Sequence, residues 1–221
     1  MDMTPSGIIF DLDGTLTDSK PGLLASLRHM HEAVGWPVPA EPQLLEWLGP
    51  PLVTVLAEAG RSPVEIDRAM LAFRARQAEG GLVDSSLYPG VEALLADLSA
   101  AGMPLAVATH KMQFDADTVI DHYGLRPRLR GVHGRIADEV GHSKASVIAR
   151  AADSIGLPAA ELVMVGDRVN DIASAHELGM PSIGVAYGYG GRTELEAAGA
   201  TRIVDSVDEL AQLLGTPVAA G

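Results

Sequence analysis

Apolar and polar positions along this chain follow two alternating periods. Four short stretches are continuously or nearly continuously apolar: Ile8–Phe10, Leu105–Ala108, Leu162–Val165 and Ser182–Val185. Runs of this length without a charged break predict strands covered on both faces, as in the middle of a parallel sheet. Leu129–His133 and Thr201–Val204 are weaker runs and predict edge or outer strands. Between the runs, apolar residues recur at helical spacing. Val91–Leu98 follows Pro89-Gly90 and closes at Ala101-Gly102, while Ala145–Ile155 and Asp171–Leu178 end near Gly156 and Gly179. Glycine just past a helix is a stop signal, because it takes the left-handed conformation there without strain. Strands that alternate with helices predict βαβ units and a parallel sheet.

Residues 19–83 break this rhythm. Lys20–Val34, Gln43–Leu48, Leu52–Ala59 and Val64–Ala78 are amphipathic helical segments punctuated by Gly35, Pro37, Pro39, Gly49-Pro50-Pro51 and Gly60, with no strand-like run among them. The block reads as a helical domain inserted after the first strand and covering the carboxyl end of the sheet. The predicted organisation is a core of residues 1–18 and 84–221 with a helical insertion at 19–83. Residues 216–221 are expected to fray.

Composition narrows the function. The chain has 221 residues, 47% of them hydrophobic and only 4% aromatic, so its core must be aliphatic. A net charge of −13 argues against a basic surface for nucleic acid or anionic membrane. No cysteine is present, which excludes disulfides and thiolate metal sites and agrees with a reducing compartment. No basic-apolar leader or run of 18 apolar residues occurs, so a cytoplasmic protein is expected. The seven histidines show no H-x-x-x-H or H-E-x-x-H pairing, so no zinc or non-haem iron site is expected.

The chemistry concentrates at strand ends. The first strand stops abruptly at Asp11-Leu12-Asp13-Gly14-Thr15. Side chains two apart on extended backbone share a face at about 6.6 Å, so one acid can attack or ligate while the other handles protons. Carboxyl ends of central strands are where open α/β sheets bind ligands. The second run leads into Thr109-His110-Lys111, and a hydroxyl there can donate to a phosphoryl oxygen. The third leads into Gly166-Asp167-Arg168-Val169-Asn170-Asp171, whose carboxylates suit a hard cation such as Mg²⁺. Lys144 stands near the start of a helix, where its charge opposes the helix dipole; a buried anion nearby would account for it, and a solvated lysine accounts for it equally well. Tyr187-Gly188-Tyr189-Gly190-Gly191 reads as a flexible loop and lacks the spacing of a dinucleotide site. Trp36 and Trp47 read as core of the insertion, and Arg28 as a surface residue.

In order and spacing, Asp11-x-Asp13-Gly14-Thr15, Thr109, Lys144 and Gly166-Asp167-x-x-x-Asp171 resemble the four motifs of the haloacid dehalogenase-like hydrolase superfamily. The insertion, Tyr88-Pro89-Gly90-Val91 and Gly184–Gly190 with Glu194-Leu195 resemble its phosphoglycolate phosphatase and β-phosphoglucomutase branch. The resemblance implies an α/β fold, a Rossmann-like parallel sheet with helices on both faces and a small all-helical cap. It implies Asp11 as nucleophile, Asp13 as general acid and base, and Thr109 and Lys144 as holders of the phosphoryl group. It implies Mg²⁺ as cofactor, held by Asp11, the main-chain carbonyl of Asp13, and Asp167, with Asp171 orienting from behind. Gly49, in the loop that resembles the family's specificity loop, and His110 would meet the substrate. His110 stands where such proteins often carry Ser or Asn, and Arg135–Gly141 matches less well. The expected partner is a small phosphorylated substrate, phosphoglycolate-like or 5′-nucleotide-like, with no nucleic-acid polymer and no membrane, for a monomer or weak homodimer. The cap would close over the site and choose the leaving group. A phosphosugar mutase would keep the same catalytic residues, and a non-catalytic module would be expected to have lost one of them.

Overall fold

The computed structural model describes residues 5–136 and 143–215. In chain order its elements are β1 (Gly7–Phe10), β2 (Thr17–Asp18), α1 (Lys20–Val34), α2 (Glu41–Glu46), α3 (Leu52–Glu58), α4 (Pro63–Arg76), β3 (Ser86–Leu87) and α5 (Val91–Ala100). They continue with β4 (Leu105–Met112), α6 (Gln113–His122), β5 (Gly131–Arg135), α7 (Lys144–Ile155), β6 (Leu162–Gly166) and α8 (Val169–Glu177). The last are β7 (Ser182–Val185), α9 (Gly191–Ala197), β8 (Arg202–Val204) and α10 (Val207–Leu213). The chain forms two compact units, one of them Asp18–Ser86.

The larger unit is a six-stranded sheet of order β5-β4-β1-β6-β7-β8, parallel throughout. This is a Rossmann-like α/β fold. Its centre is β1, whose Ile8, Ile9 and Phe10 are fully buried. Each such side chain withdrawn from water contributes about 1.5–3 kcal/mol, which is why three uninterrupted apolar residues occupy the middle of the sheet. Alternation sends Ile9, Ala106, Ala108, Leu162 and Met164 to one face, where Val147, Ile148 and Ala151 of α7 and Ala175 of α8 cover them. Their alternates Ile8, Phe10, Val107, Val163 and Val165 are equally buried, so both faces of the sheet are covered.

The chain runs outward from β1 to β4 and β5, then returns to lay β6 on the other side of β1. That reversal leaves a crevice at the carboxyl ends of β1 and β6, the usual ligand position in such sheets. Phe10 pairs with both Val107 and Val165, so Asp11, Thr109 and Asp167 emerge at the same end.

Several boundaries differ from the sequence-based expectation. The strand expected at Leu129–His133 runs instead from Gly131 to Arg135, because Arg126–Arg128 form a short 3₁₀ turn first. β4 runs on through Met112, past the apolar stretch, because β5 pairs with it as far as Arg135. Four residue steps from Ala108 to Met112 face only two from His133 to Arg135, so β4 bulges at Thr109-His110-Lys111. Bulges of this kind re-aim side chains beside active sites. Helix α6 lies outside the elements the pattern predicts, although its buried Ala116, Val119 and Ile120 have helical spacing. The expected frayed tail, 216–221, lies outside the described residues.

The Asp18–Ser86 unit is helical. α1 ends at Gly35, whose φ of 76° makes the left-handed cap that the sequence suggests. His31 is buried, with Trp36 and Trp47 ring centroids 5.7 and 5.3 Å away, so both tryptophans do serve packing. Arg28 pairs with Glu41 on the surface. Gly49, the suggested substrate contact, has a φ of 106° in the turn between α2 and α3. Among the described residues no helix is long and apolar enough to cross a membrane.

Candidate active site

Asp11 prolongs β1 by one residue, its N–H donating to the Val165 carbonyl at 2.8 Å. The chain then folds on itself. The Leu12 carbonyl accepts from the amides of Thr15, Leu16 and Thr17 and from the Thr17 hydroxyl, and the Gly14 amide donates to the Thr17 carbonyl at 2.7 Å. Gly14 sits at φ 88°, and a Cβ there would overlap the Asp167 carboxylate. Glycine is therefore required twice over, for its backbone and for the approach of the two motifs.

Carboxylate oxygens of Asp11, Asp167 and Asp171 lie within 4.8 Å of one another, and all three residues are buried. Lys144, the first residue of α7, places Nζ 2.6 Å from Asp11 Oδ1 and 2.8 Å from Asp171 Oδ1, with its side chain only 3% exposed. The buried-anion reason for a lysine at this helix start is thus present. Asp171 commits its second oxygen to the Arg168 amide at 3.1 Å, so it both orients Lys144 and caps α8. Asp167 Oδ2 accepts from the Tyr189 amide at 2.7 Å.

The electrostatics follow from this crowding. Burial pushes the Asp11 carboxyl up to about 6; Lys144 pulls it back down and Asp171 adds to the rise. Burial, then Asp171 and Asp11, raise Asp167 well above the usual carboxylate range. Burial works against the Lys144 charge, but Asp11 and Asp171 outweigh it and hold the ammonium firmly protonated. With the three acids ionised against one lysine, three minus one leaves two uncompensated negative charges in a buried site. A dry charge of that size is costly. The donors are all oxygen, without histidine among them, which suits a hard divalent cation such as Mg²⁺.

Thr109 is 2% exposed at the bulge of β4, and its Oγ1 accepts from the Lys111 amide at 3.2 Å. His110 follows it, half-buried. The Asp13 carboxylate pairs with Lys111, Oδ2 to Nζ 3.1 Å, with side chains 18% and 8% exposed. The sequence gives Lys111 no functional mark beyond its position two residues after Thr109, because the bulge that places it is a tertiary feature. Glu194 stands in the sequence only as part of the branch resemblance, with no role attached, and nothing local announces the ordering of Tyr187–Gly191. That segment reads as flexible but packs closely: the Tyr187 hydroxyl donates to the Thr15 carbonyl at 3.0 Å. Gly188 and Gly190 are there for room, since a Cβ on either would overlap Asp167, while Gly191 takes a left-handed φ of 69°.

A family model for haloacid dehalogenase-like hydrolases matches residues 8–185, which contain every one of these charged groups except Glu194. The chain belongs to the haloacid dehalogenase-like hydrolases. Within them it is 34% identical over 215 residues to the phosphoglycolate phosphatase of Neisseria meningitidis, covering 92% of this chain and 91% of that one. A 5′-nucleotidase of Pseudomonas aeruginosa is 32% identical over 208 residues, with 94% of each chain covered. The tyrosine-protein kinase PtkA of Mycobacterium tuberculosis is 36% identical over 214 residues, 96% of this chain and 73% of that protein. The solved structure of PtkA superposes with a TM-score of 0.83 at 36% identity, covering 96% and 99% of the two chains. The family match, the phosphoglycolate phosphatase and the 5′-nucleotidase support the phosphoglycolate phosphatase-like branch and, as enzyme class, phosphoric monoester hydrolase.

Proposed function

We propose that this protein is a Mg²⁺-dependent phosphatase that hydrolyses a small phosphorylated metabolite through an aspartyl-phosphate. The observation that carries the reading is the buried group Asp11, Asp167 and Asp171, with one lysine among three acids. Asp11, the Asp13 carbonyl and Asp167 would hold Mg²⁺. When bound, the ion neutralises phosphoryl charge so that a carboxylate can approach phosphorus.

Asp11 attacks phosphorus in line; the P–O bond to the alcohol breaks as the Asp11–phosphorus bond forms. With a pKa of about 6, Asp11 is largely ionised at neutral pH, as a nucleophile must be. Asp13 delivers a proton to the leaving oxygen and then removes one from the water that attacks the acyl phosphate. This second displacement frees inorganic phosphate and restores Asp11. Thr109 donates its hydroxyl hydrogen to a phosphoryl oxygen, and Lys144 pairs with another while Asp171 keeps it aimed. Phosphoglycolate and nucleoside 5′-monophosphates are the leading substrate classes, from the names of the relatives.

The test is Asp11→Asn assayed on p-nitrophenyl phosphate and on both substrate classes with Mg²⁺. Turnover should fall at least about 10⁴-fold, since the covalent route is closed; retained turnover would refute the nucleophile. Hydrolysis in ¹⁸O-water should label the released phosphate. Label-free transfer to a sugar or to a tyrosyl peptide would instead indicate a mutase or a kinase.

A further inference from the structure

Helix α8 begins between the two acids of its motif, and its own residues cannot finish it. Arg168 is the N-cap residue, and its guanidinium offers the first turn no side-chain acceptor. Its amide is served by Asp171, but the Val169 amide, the next donor of the first turn, is served from 25 residues away by Glu194 Oε1 at 2.8 Å. The same oxygen accepts from Arg168 Nε at 2.9 Å. Glu194 lies on α9, reached through the segment that donates Tyr189 N–H to Asp167 Oδ2. Within that segment a Cβ on Gly188 would overlap Asp167 and the Gly14 carbonyl, although Gly188 has no left-handed backbone to require glycine.

We propose that Glu194 is the positioning residue for Asp167: it caps α8 from outside and keeps the Arg168 guanidinium directed at itself. Two effects follow. An uncapped first turn frays, and Asp167, between the end of β6 and that turn, loses its fixed direction. Without Glu194 the Arg168 charge, whose field already acts on Asp167, competes more strongly with any divalent ion for that carboxylate. The inference rests on the cation site proposed above, toward which Asp167 is turned. Removing the partner that orients a metal ligand commonly costs 10–100-fold in metal affinity.

The experiment is direct Mn²⁺ binding by electron paramagnetic resonance on the full chain, with thermal unfolding in parallel. Glu194→Ala should raise the Mn²⁺ Kd about 10–100-fold at unchanged stoichiometry. Glu194→Gln keeps a carbonyl oxygen for Val169 but loses the hold on Arg168 and should fall between. Arg168→Met in the Glu194→Ala background should restore part of the affinity, which a merely structural role would not. Glu196→Ala, two residues on in an exposed pair with Arg192, should leave the Kd unchanged. If the wild type binds no Mn²⁺, the cation site itself fails. If it binds but Glu194→Gln and Glu194→Ala bind equally well, the positioning role is overturned while the site stands.

Discussion

Lys144→Met removes one positive charge and little volume from the most crowded part of the site. In the wild type Nζ is 2.6 Å from Asp11 and 2.8 Å from Asp171, with Asp167 in the same group. At an effective dielectric near 20, each contact is worth about 6 kcal/mol of Coulomb attraction, from 332/(20 × 2.7). Desolvation of the charges offsets much of that, and breaking a buried pair costs about 3–5 kcal/mol net because the acids stay behind. For a chain of this length that loss corresponds to about 6–20 °C in Tm. Calorimetric unfolding in a metal-free buffer at pH 7 measures it. The deficit should narrow at pH 5, where Asp11, with a pKa near 6, has taken up a proton and no longer repels its neighbours. A variant that melts within about 2 °C of the wild type at pH 7 contradicts the argument. A deficit of the same size at both pH values would show that lost packing, rather than charge, is responsible.

Without metal, the raised Asp11 pKa favours the folded state while the group is protonated. That contribution is complete below 3.8 and is lost as pH rises through about 6. A shift of about two units corresponds to about 3 kcal/mol, so the stability of wild type relative to Asp11→Asn should fall by that order between pH 4 and 7; a level difference would refute it. Mg²⁺ at about 100 times its Kd should add about 2.7 kcal/mol at pH 7, or about 5–11 °C in Tm. Chelation should reverse the gain, and at pH 5 it should shrink because protons occupy the same carboxylates. Lys111→Gln frees the Asp13 carboxylate from its 3.1 Å partner. It should lower kcat for alkyl phosphates about 10–100-fold, within what proton transfer supplies, but affect p-nitrophenyl phosphate less because that leaving group needs no proton. Equal losses on both would detach Lys111 from the acid role. Leu95→Ala, fully buried on α5, should cost about 2–5 kcal/mol in denaturant unfolding without changing KM of the folded fraction.

What could be read without coordinates was whatever is written locally. Ile8–Phe10 and Leu162–Val165 announce central strands because a strand buried on both faces tolerates no polar residue. The helices of residues 20–76 show their apolar spacing and their glycine and proline stops, which depend on the backbone of a few neighbours. Asp11, Asp13, Asp167, Asp171, Lys144 and Thr109 stand out because their chemistry is tied to short motifs at strand and helix ends.

What was not written locally depended on residues far apart meeting. Thr109 and Lys111 are placed by a bulge that exists only because β5 pairs with β4 two residues short. Asp13 finds Lys111 across 98 positions, and Lys144 reaches Asp11 across 133, contacts that no period along the chain encodes. Tyr187–Gly191 illustrates the difference most clearly. Its glycines signal flexibility to a reader of sequence, because composition records only the missing side chain. In the folded chain the same absence makes space for Asp167, and Glu194 then supplies the cap that Arg168 cannot. Local propensity determines which elements form; the parallel pairing of β1 with β6 decides which of their ends share a site.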